Sequence, residues 1–243
     1  MRYQPHDLTL TYEPARRMVH FVLYADPTRG IVTNALNAEI YIHSPTRHVE
    51  EWARRLERCE PNPLHAAILD NRSMPELFRR CVEEDGDDPT ALATGSACSC
   101  YRTLYDPEFG LPVVAKHRRV DAASADKWSY QTYAPLELRP QDTFAALVVD
   151  RGEYFWIRTT DGLLSFLPQG PSRGYGVGYS GGGPAELALY IDRLIDSDGR
   201  DTAVHPTPHN WDTHPNVDAW TSSTAATRTQ ELTLDDLRAL RHD

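Results

Sequence analysis

The sequence predicts an α+β fold in which antiparallel β-strands carry packed helices. Segments in which apolar and polar residues alternate recur in both halves of the chain, as expected of half-buried strands. Turn residues separate several of these segments at hairpin spacing, as Arg151-Gly152 does. Two further stretches, 47–59 and 184–197, have apolar residues at helical spacing and need a sheet to cover.

In the first half of the chain, alternation predicts a β-hairpin from Leu8 to Tyr24 and a third strand from Ala38 to His43. Ser44-Pro45-Thr46 then begins a helix over Arg47 to Cys59. A second helix is predicted over Met74 to Asp85, before the glycine that follows it.

The second half returns to strands from Cys98 onward, in the segments CYRTLY, LPVVAKHRRV and SYQTYAPLEL. The clearest hairpin joins TFAALVVD to EYFWIRTT through Arg151-Gly152. With LLSFLP it predicts a three-stranded meander from Phe144 to Leu167. The apolar pattern of PAELALYIDRLI predicts a buried helix over Pro184 to Ser197.

For the domain organisation, we predict one α+β domain over residues 1–199, with a subdivision near 86–97 as the alternative. Residues 200–228 are rich in Pro, Thr, Asp and His without any period, which predicts an extended or disordered tail. Residues 229–243 predict a short C-terminal helix, because Thr233 and Asp236 resemble a capping box. This helix docks either on its own domain or on a partner.

Charge and composition exclude several classes of protein. The formal net charge is −10 at pH 7, so there is no general basic field to gather phosphates, and we do not expect nucleic-acid binding. No apolar run approaches the roughly 18 residues of a membrane span, and the N-terminus lacks the apolar centre of a signal peptide. These features predict a cytoplasmic protein without membrane contact. Cys59 and Cys81 are expected as small core residues.

The segment GYSGGG invites a catalytic interpretation. Gly178, Ser180 and Gly182 fit GxSxG and are similar to the turn that presents the nucleophilic serine of α/β-hydrolases, which makes Ser180 a candidate catalytic residue. In that family the serine follows a buried parallel strand. Here the preceding residues, LPQGPSRGYG, contain prolines and glycines and follow an antiparallel meander. We therefore favour a non-catalytic protein, with a serine hydrolase as the named alternative.

The same glycines allow two ligand-binding interpretations. Gly176, Gly178 and Gly181 fit the GxGxxG of a dinucleotide site, but no second strand leads to an acidic residue at the required distance, so no such cofactor is predicted. A glycine-rich segment before a helix can instead bind an anion. The candidate ligand-binding residues for a phosphate-containing ligand are Arg173, Gly181, Gly182 and Gly183.

A second resemblance covers RGYGVGYSGGGPAELALYIDRLI. This segment resembles the ending of a small uncharacterised bacterial domain, also found in phages and plasmids, whose hallmark is similar to WGYGGSGPxxLAxAxL after a few β-strands. The matching residues are Tyr175, Gly178, Tyr179, Gly181, Gly183, Pro184, Leu187 and Ala188. Val177 stands where that domain tends to have an aromatic residue. The resemblance implies antiparallel strands before the helix and no catalytic activity.

Two groups of residues could in principle bind a metal. His205, His209 and His214, with Asp212, are ligand types that zinc accepts, but the prolines among them favour an extended polar segment. Cys98 and Cys100 lie two apart in a predicted strand and could share a metal with His117. Without a second cysteine pair this signal favours structural thiols, and we predict no metal or cofactor.

Taken together, these patterns favour a cytoplasmic, non-catalytic binding or assembly protein of a bacterial mobile-element or phage-related type. It would act through contacts with a protein partner or with further copies of itself. The segment from Asp201 to Asp243 is the predicted partner surface. The alternative is a hydrolase or a phosphate-ligand-binding protein that uses the glycines before the helix at 184–197.

Overall fold

A computed structural model describes residues 8–13, 18–23, 39–61, 65, 68, 98–119, 127–169, 174–205 and 212–242. The fold is α+β, with antiparallel sheets and short to medium helices, as predicted. The chain forms two compact units. Unit 1 comprises Met1–Pro45 and Ala53–Tyr133, and unit 2 comprises Thr46–Trp52 and Ala134–Asp243. One domain over residues 1–199 was predicted, with a subdivision near 86–97 as the alternative, and residues 86–97 lie outside the described residues.

Unit 1 contains the predicted N-terminal hairpin and a five-stranded antiparallel sheet. The hairpin pairs β1, Leu8–Glu13, with β2, Met18–Leu23. The sheet has the order β3-β7-β6-β5-β4. Its strands are β3, Glu39–Ile42; β4, Glu57–Arg58; β5, Cys98–Asp106; β6, Leu111–Arg119; and β7, Lys127–Tyr133. Ile68, Tyr101, Val114 and Tyr133 form a buried cluster against this sheet.

Unit 2 is built on a four-stranded antiparallel sheet with the order β10-β9-β8-β11. The predicted meander supplies β8, Phe144–Asp150; β9, Tyr154–Thr159; and β10, Leu164–Phe166. The fourth strand, β11, Gln230–Thr233, comes from the C-terminal region and pairs with β8. The helices are α1, Arg47–Ala53; α2, Gly182–Asp196; α3, Pro215–Ser222; and α4, Leu234–Ala239, with a 3-10 turn at Thr224–Thr227.

Helices cover both faces of the unit 2 sheet. On one face, the ring of Trp52 in α1 lies with its centroid 5.1 Å from that of Phe166 and 6.2 Å from that of Trp156. On the other face, Tyr175 contacts Phe155 of β9 and Tyr190 of α2, at centroid distances of 6.0 and 5.7 Å. Because adjacent residues of a strand point to opposite faces, Phe155 and Trp156 serve different layers.

The first helix is shorter than predicted. It ends at Ala53 instead of Cys59, because Glu57 and Arg58 pair with β5 as a short strand. The amide of Cys59 then donates to the carbonyl of Thr103 at 3.1 Å, and the hydroxyl of Thr103 donates back at 2.6 Å. Pairing with a sheet edge thus overrides local helix propensity. The helix predicted over 74–85 lies outside the described residues.

The C-terminal region also differs from its prediction. Residues 215–222 are helical and 230–233 form a strand, where the sequence analysis expected an extended or disordered tail over 200–228 and a helix over 229–243. Val217, Thr221, Ala226 and Leu237 are each fully buried. The buried apolar residues of this segment are few and widely spaced, so the sequence has no periodic hydrophobic pattern that would predict its structure. The predicted capping box of Thr233 and Asp236 is present at the start of α4.

Candidate functional site

The glycine-rich segment forms a shaped loop at the start of α2, which we call the Tyr179 loop, residues 174–181. Gly178 lies at its turn with a φ of 84°, a conformation that glycine adopts most readily. Its amide donates to the carbonyl of Thr221 at 2.9 Å. An added Cβ at Gly178 would lie 2.4 Å from Cγ2 of Thr227. The loop is therefore held against the C-terminal segment of its own unit.

Three other glycines make room for the side chain of Tyr179. A Cβ at Gly176 would lie 2.7 Å from the Tyr179 hydroxyl, and one at Gly183 would lie 2.5 Å from it. A Cβ at Gly181 would lie 2.8 Å from the Cε2 atom of the ring. The ring nevertheless remains 53% exposed. The glycines thus seat an aromatic side chain at the surface, and the sequence signal for this was an aromatic residue amid glycines.

The base of the loop is fixed by a second tyrosine. The buried hydroxyl of Tyr175 donates to the carbonyl of Pro168 at 2.6 Å, and the hydroxyl of Tyr190 in α2 donates to that of Thr202 at 2.9 Å. Burial raises the pKa of both phenols well above their usual value, so both stay protonated donors. These two hydrogen bonds hold Tyr175 at the start of the loop and Tyr190 in the helix that follows it.

Ser180 is exposed and directly precedes the N-cap residue of α2, Gly181. In the part of the chain that the structure describes, its hydroxyl makes no hydrogen bond to a histidine. Histidines that lie beside a carboxylate are found elsewhere, such as His205 with Asp201 at 2.8 Å and His48 with Asp150 at 3.1 Å. The structure does not bring a Ser180 triad together among these residues.

The candidate anion site is only partly described, since Arg173 lies outside the described residues. The helix begins at Gly182, and the N-cap Gly181 has extended backbone with no side-chain cap. Pro184 is therefore the third helical residue and not the first, still within the turn where an N–H has no intrahelical partner. The ring of Tyr179 lies against Gly181 and Gly183 at this helix end.

The histidines of the C-terminal region have separate roles. His205 Nε2 lies 2.8 Å from the carboxylate of Asp201. His214 is the N-cap of α3, where its Nδ1 accepts a hydrogen bond from the amide of Asn216 at 3.3 Å. His209 lies outside the described residues. Among the residues that are described, no three His, Cys, Asp or Glu side chains are placed to hold a metal ion.

The cysteines of unit 1 contact histidines in pairs. Cys100 Sγ lies 3.7 Å from His117 Nδ1, its cross-strand neighbour, as their predicted strands allow. Cys59 Sγ lies 3.6 Å from His65 Nε2, which is also 2.7 Å from the carbonyl of Leu104. Burial, followed by the charge of Glu60, raises the pKa of the Cys59 thiol, which disfavours a reactive thiolate. These thiols fit a structural role.

Sequence analysis missed a buried polar cluster in unit 2. The hydroxyl of Thr46 accepts from the amide of Val49 at 3.2 Å, as an N-cap, and donates to the carboxylate of Asp150. His48 Nδ1 lies 3.1 Å from the same carboxylate. The exposed fractions of Thr46, His48 and Asp150 are 4, 1 and 2%. Such burial suits the fastening of α1 to β8 and not contact with a substrate, and no short-range sequence pattern could have joined these residues.

None of the described helices is long and apolar enough to cross a membrane. Comparison of the chain with models of protein families, with curated proteins and with solved structures found no match.

Proposed function

We propose that this chain is a cytoplasmic, non-catalytic binding protein that acts through protein–protein contacts made by the Tyr179 loop. The observation that carries the proposal is the seating of Tyr179. Its ring lies against three glycines, and the residue is 53% exposed. Among the large hydrophobic residues that the structure describes, Tyr41 is the other exposed one, at 40%. Tyrosine is one of the residues that most often dominate the energy of protein interfaces.

The loop geometry suits such a contact because the aromatic side chain is held before a partner arrives. The side chain of Tyr179 occupies space that a Cβ at Gly176, Gly181 or Gly183 would take up. A side chain that is already restricted loses less conformational entropy on binding. The phenol also offers an apolar face together with a hydroxyl, which suits an interface that is partly wet.

The surface around the loop extends the potential contact area. Exposed Ser180 and Gly181 follow Tyr179 directly, and exposed Thr227 contacts Gly178. Gly152 lies beside Thr227, so the turn between β8 and β9 borders the same region. This replaces the earlier expectation that the C-terminal segment as a whole is the partner surface, since that segment packs into unit 2.

The bacterial mobile-element or phage-related setting belongs to this proposal and rests on the motif resemblance alone. Within that motif Gly178, Tyr179, Gly181 and Gly183 are the residues that shape the loop. A shared requirement to seat the tyrosine would explain why these residue types recur together. The partner is either a second copy of the chain or another protein.

The test replaces Tyr179 by alanine and uses Tyr105→Ala as the matched control, because Tyr105 is a partly exposed tyrosine of unit 1. Self-association is measured by sedimentation velocity, and other partners by quantitative co-purification from the source cells. We expect Tyr179→Ala to abolish an association that Tyr105→Ala retains. Equal association by both variants would exclude the Tyr179 loop as the contact.

The competing function is a serine hydrolase through Ser180, favoured by the exposure of that side chain beside the start of α2. A fluorophosphonate probe distinguishes the two proposals. Labelling of the wild-type protein that is lost in Ser180→Ala, but kept in Ser223→Ala, would replace the binding function by hydrolysis. Absence of labelling, together with loss of association in Tyr179→Ala, is the outcome we expect.

A further inference from the structure

Three cations lie together on one face of the five-stranded sheet in unit 1. Lys116 and Arg118 are two residues apart in β6 and therefore point to the same face. Lys127 of β7 is paired directly with Arg118. Arg118 and Lys127 are exposed and Lys116 is half-buried. We call Lys116, Arg118 and Lys127 the basic sheet face.

The pairing of Arg118 with Lys127 needs an explanation, because like charges directly opposite one another destabilise an antiparallel sheet. Among the described residues, neither side chain forms an ion pair with a carboxylate. Lys116 instead places its ammonium 5.4 Å from the ring centroid of Tyr101, its own cross-strand neighbour. An anionic ligand that contacts all three cations would attract each of them and so offset the repulsion between Arg118 and Lys127.

Aromatic and polar side chains continue the same face. Tyr41 of β3 is paired with Gln131 of β7, and Gln131 points to the same face of the sheet as Lys127. Tyr41 is 40% exposed. The ring of exposed His43 meets that of Tyr41 edge to face, with centroids 3.9 Å apart. The half-buried Ser129 is paired with Lys116 and adds a hydroxyl. Part of this face is buried, around Tyr101, Val114 and Tyr133. Its exposed part presents the cations together with an aromatic pair.

The negative charge of the chain is distributed unequally. Unit 1 has 15 Lys and Arg against 17 Asp and Glu, a net charge of −2, whereas unit 2 has 10 against 18, a net charge of −8. The overall charge of −10, which argued against a nucleic-acid partner, is therefore mostly a property of unit 2. Unit 1 carries a local basic region on a nearly neutral background.

We propose that the basic sheet face binds single-stranded nucleic acid, with its phosphates on Lys116, Arg118 and Lys127 and a base stacked on Tyr41. Residues two apart in a strand are about 6.6 Å apart, and neighbouring strands about 4.8 Å, so the three cations can follow the phosphates of one extended strand. Stacking on an exposed aromatic ring is tolerant of sequence and complements a cationic surface. This goes beyond the protein contacts proposed for Tyr179, since it uses a different surface in the other unit.

The test measures binding of the full chain to a fluorescein-labelled oligo(dT) of about 15 nucleotides by fluorescence anisotropy. We expect Arg118→Glu and Lys127→Glu each to weaken binding by about tenfold or more, and Tyr41→Ala by about tenfold through lost stacking. Arg54→Glu is the matched control, because it reverses an exposed charge in unit 1 that lies in neither β6 nor β7. The affinity should also fall with salt, with a logarithmic slope of about −2 for three phosphates.

Several outcomes would overturn the inference. Equal loss of affinity in Arg118→Glu and Arg54→Glu would show that only overall charge matters. Equal affinity for a duplex of the same length, or competition by poly-glutamate as strong as that of unlabelled oligo(dT), would assign the surface to a different anion. Far-ultraviolet circular dichroism and thermal unfolding identify misfolded variants, and in that case Arg118→Gln and Lys127→Gln replace them. Loss of oligonucleotide binding in Tyr41→Ala but not in Tyr179→Ala separates this inference from the proposed protein contact.

Discussion

The Nδ1 atom of His48 lies 3.1 Å from Oδ2 of Asp150, although α1 and β8 are far apart in the chain. Thr46 donates to the same carboxylate from the N-cap of α1. All three side chains are buried, so the Thr46 hydroxyl and the Asp150 carboxylate depend on each other for hydrogen bonding. This cluster attaches a helix from the first quarter of the sequence to a sheet built from the second half.

Asp150→Ala is therefore expected to destabilise unit 2 by about 2 kcal/mol, because it leaves the buried Thr46 hydroxyl without its acceptor and removes the carboxylate beside the His48 imidazole. Equilibrium urea unfolding, followed by tryptophan fluorescence, measures the change. Asp235→Ala is the control, since that carboxylate is 89% exposed. Equal midpoints for the two variants would contradict the structural role of the cluster.

Gly178→Ala tests whether the turn of the Tyr179 loop is constrained as the structure indicates. The φ of 84° and the contact with Thr227 should together cost about 2–4 kcal/mol. Gly162→Ala is a matched control, because Gly162 also has a positive φ, of 90°, but an added Cβ would meet nothing within 4 Å. Its cost should stay near 1–2 kcal/mol, set by the backbone alone. Thermal unfolding of both variants gives the comparison, and equal losses would argue against the clash.

Truncation after Asn210 is expected to unfold unit 2 and not merely to remove a tail. The deletion takes away β11, which pairs with β8, and helix α3, whose Val217 is fully buried. It also removes Arg241, which donates to the carboxylates of Asp192 and Asp196 in α2. Hydrogen exchange measures the outcome as lost protection of β8 and β9 amides. A truncated chain that kept this protection would show that the C-terminal segment is dispensable.

The ion pair between Glu51 and Arg158 predicts a dependence of stability on pH. Hydrogen bonding from Arg158 lowers the pKa of Glu51 below its usual 4.5 in the folded chain. The unfolded state therefore takes up the proton at higher pH, so the contribution is complete above about pH 5 and is lost as the pH falls through the lowered pKa. Both side chains are partly exposed, so it should stay below about 1 kcal/mol.

The measurement for this pair is the difference in unfolding free energy between the wild type and Glu51→Gln from pH 6 to pH 3. We expect the difference to shrink as the pH falls. Glu153→Gln, at an exposed residue in the turn after β8, should show no such trend. A difference between wild type and Glu51→Gln that is constant with pH would contradict the proposed stabilisation of the Glu51 carboxylate.

Much of the fold was predictable because its signals are local. Alternation located the strands from Phe144 to Leu167, and the capping box located the start of α4. The end of α1 and the strand β11 were not predictable, because each is decided by pairing with a distant strand. Segments this short have little intrinsic preference, so tertiary contacts determine their conformation.

The candidate sites divide in the same way. The sequence identified the glycine-rich turn before α2 and offered Ser180 and an anion site as candidates there. That three glycines leave room for Tyr179 is visible only in the structure. The basic sheet face was missed because Lys116, Arg118 and Lys127 are divided between two strands, and only their register brings the charges together.

By itself the sequence determined the class of fold, most of the strands and the position of the helix after the glycines, since these follow from periodicity and turn residues. Only the tertiary structure decided which units the segments join, why the glycines are needed, and which charges share a face. Those properties depend on pairs of residues that are distant in the chain, and contact between them forms only when the whole unit folds.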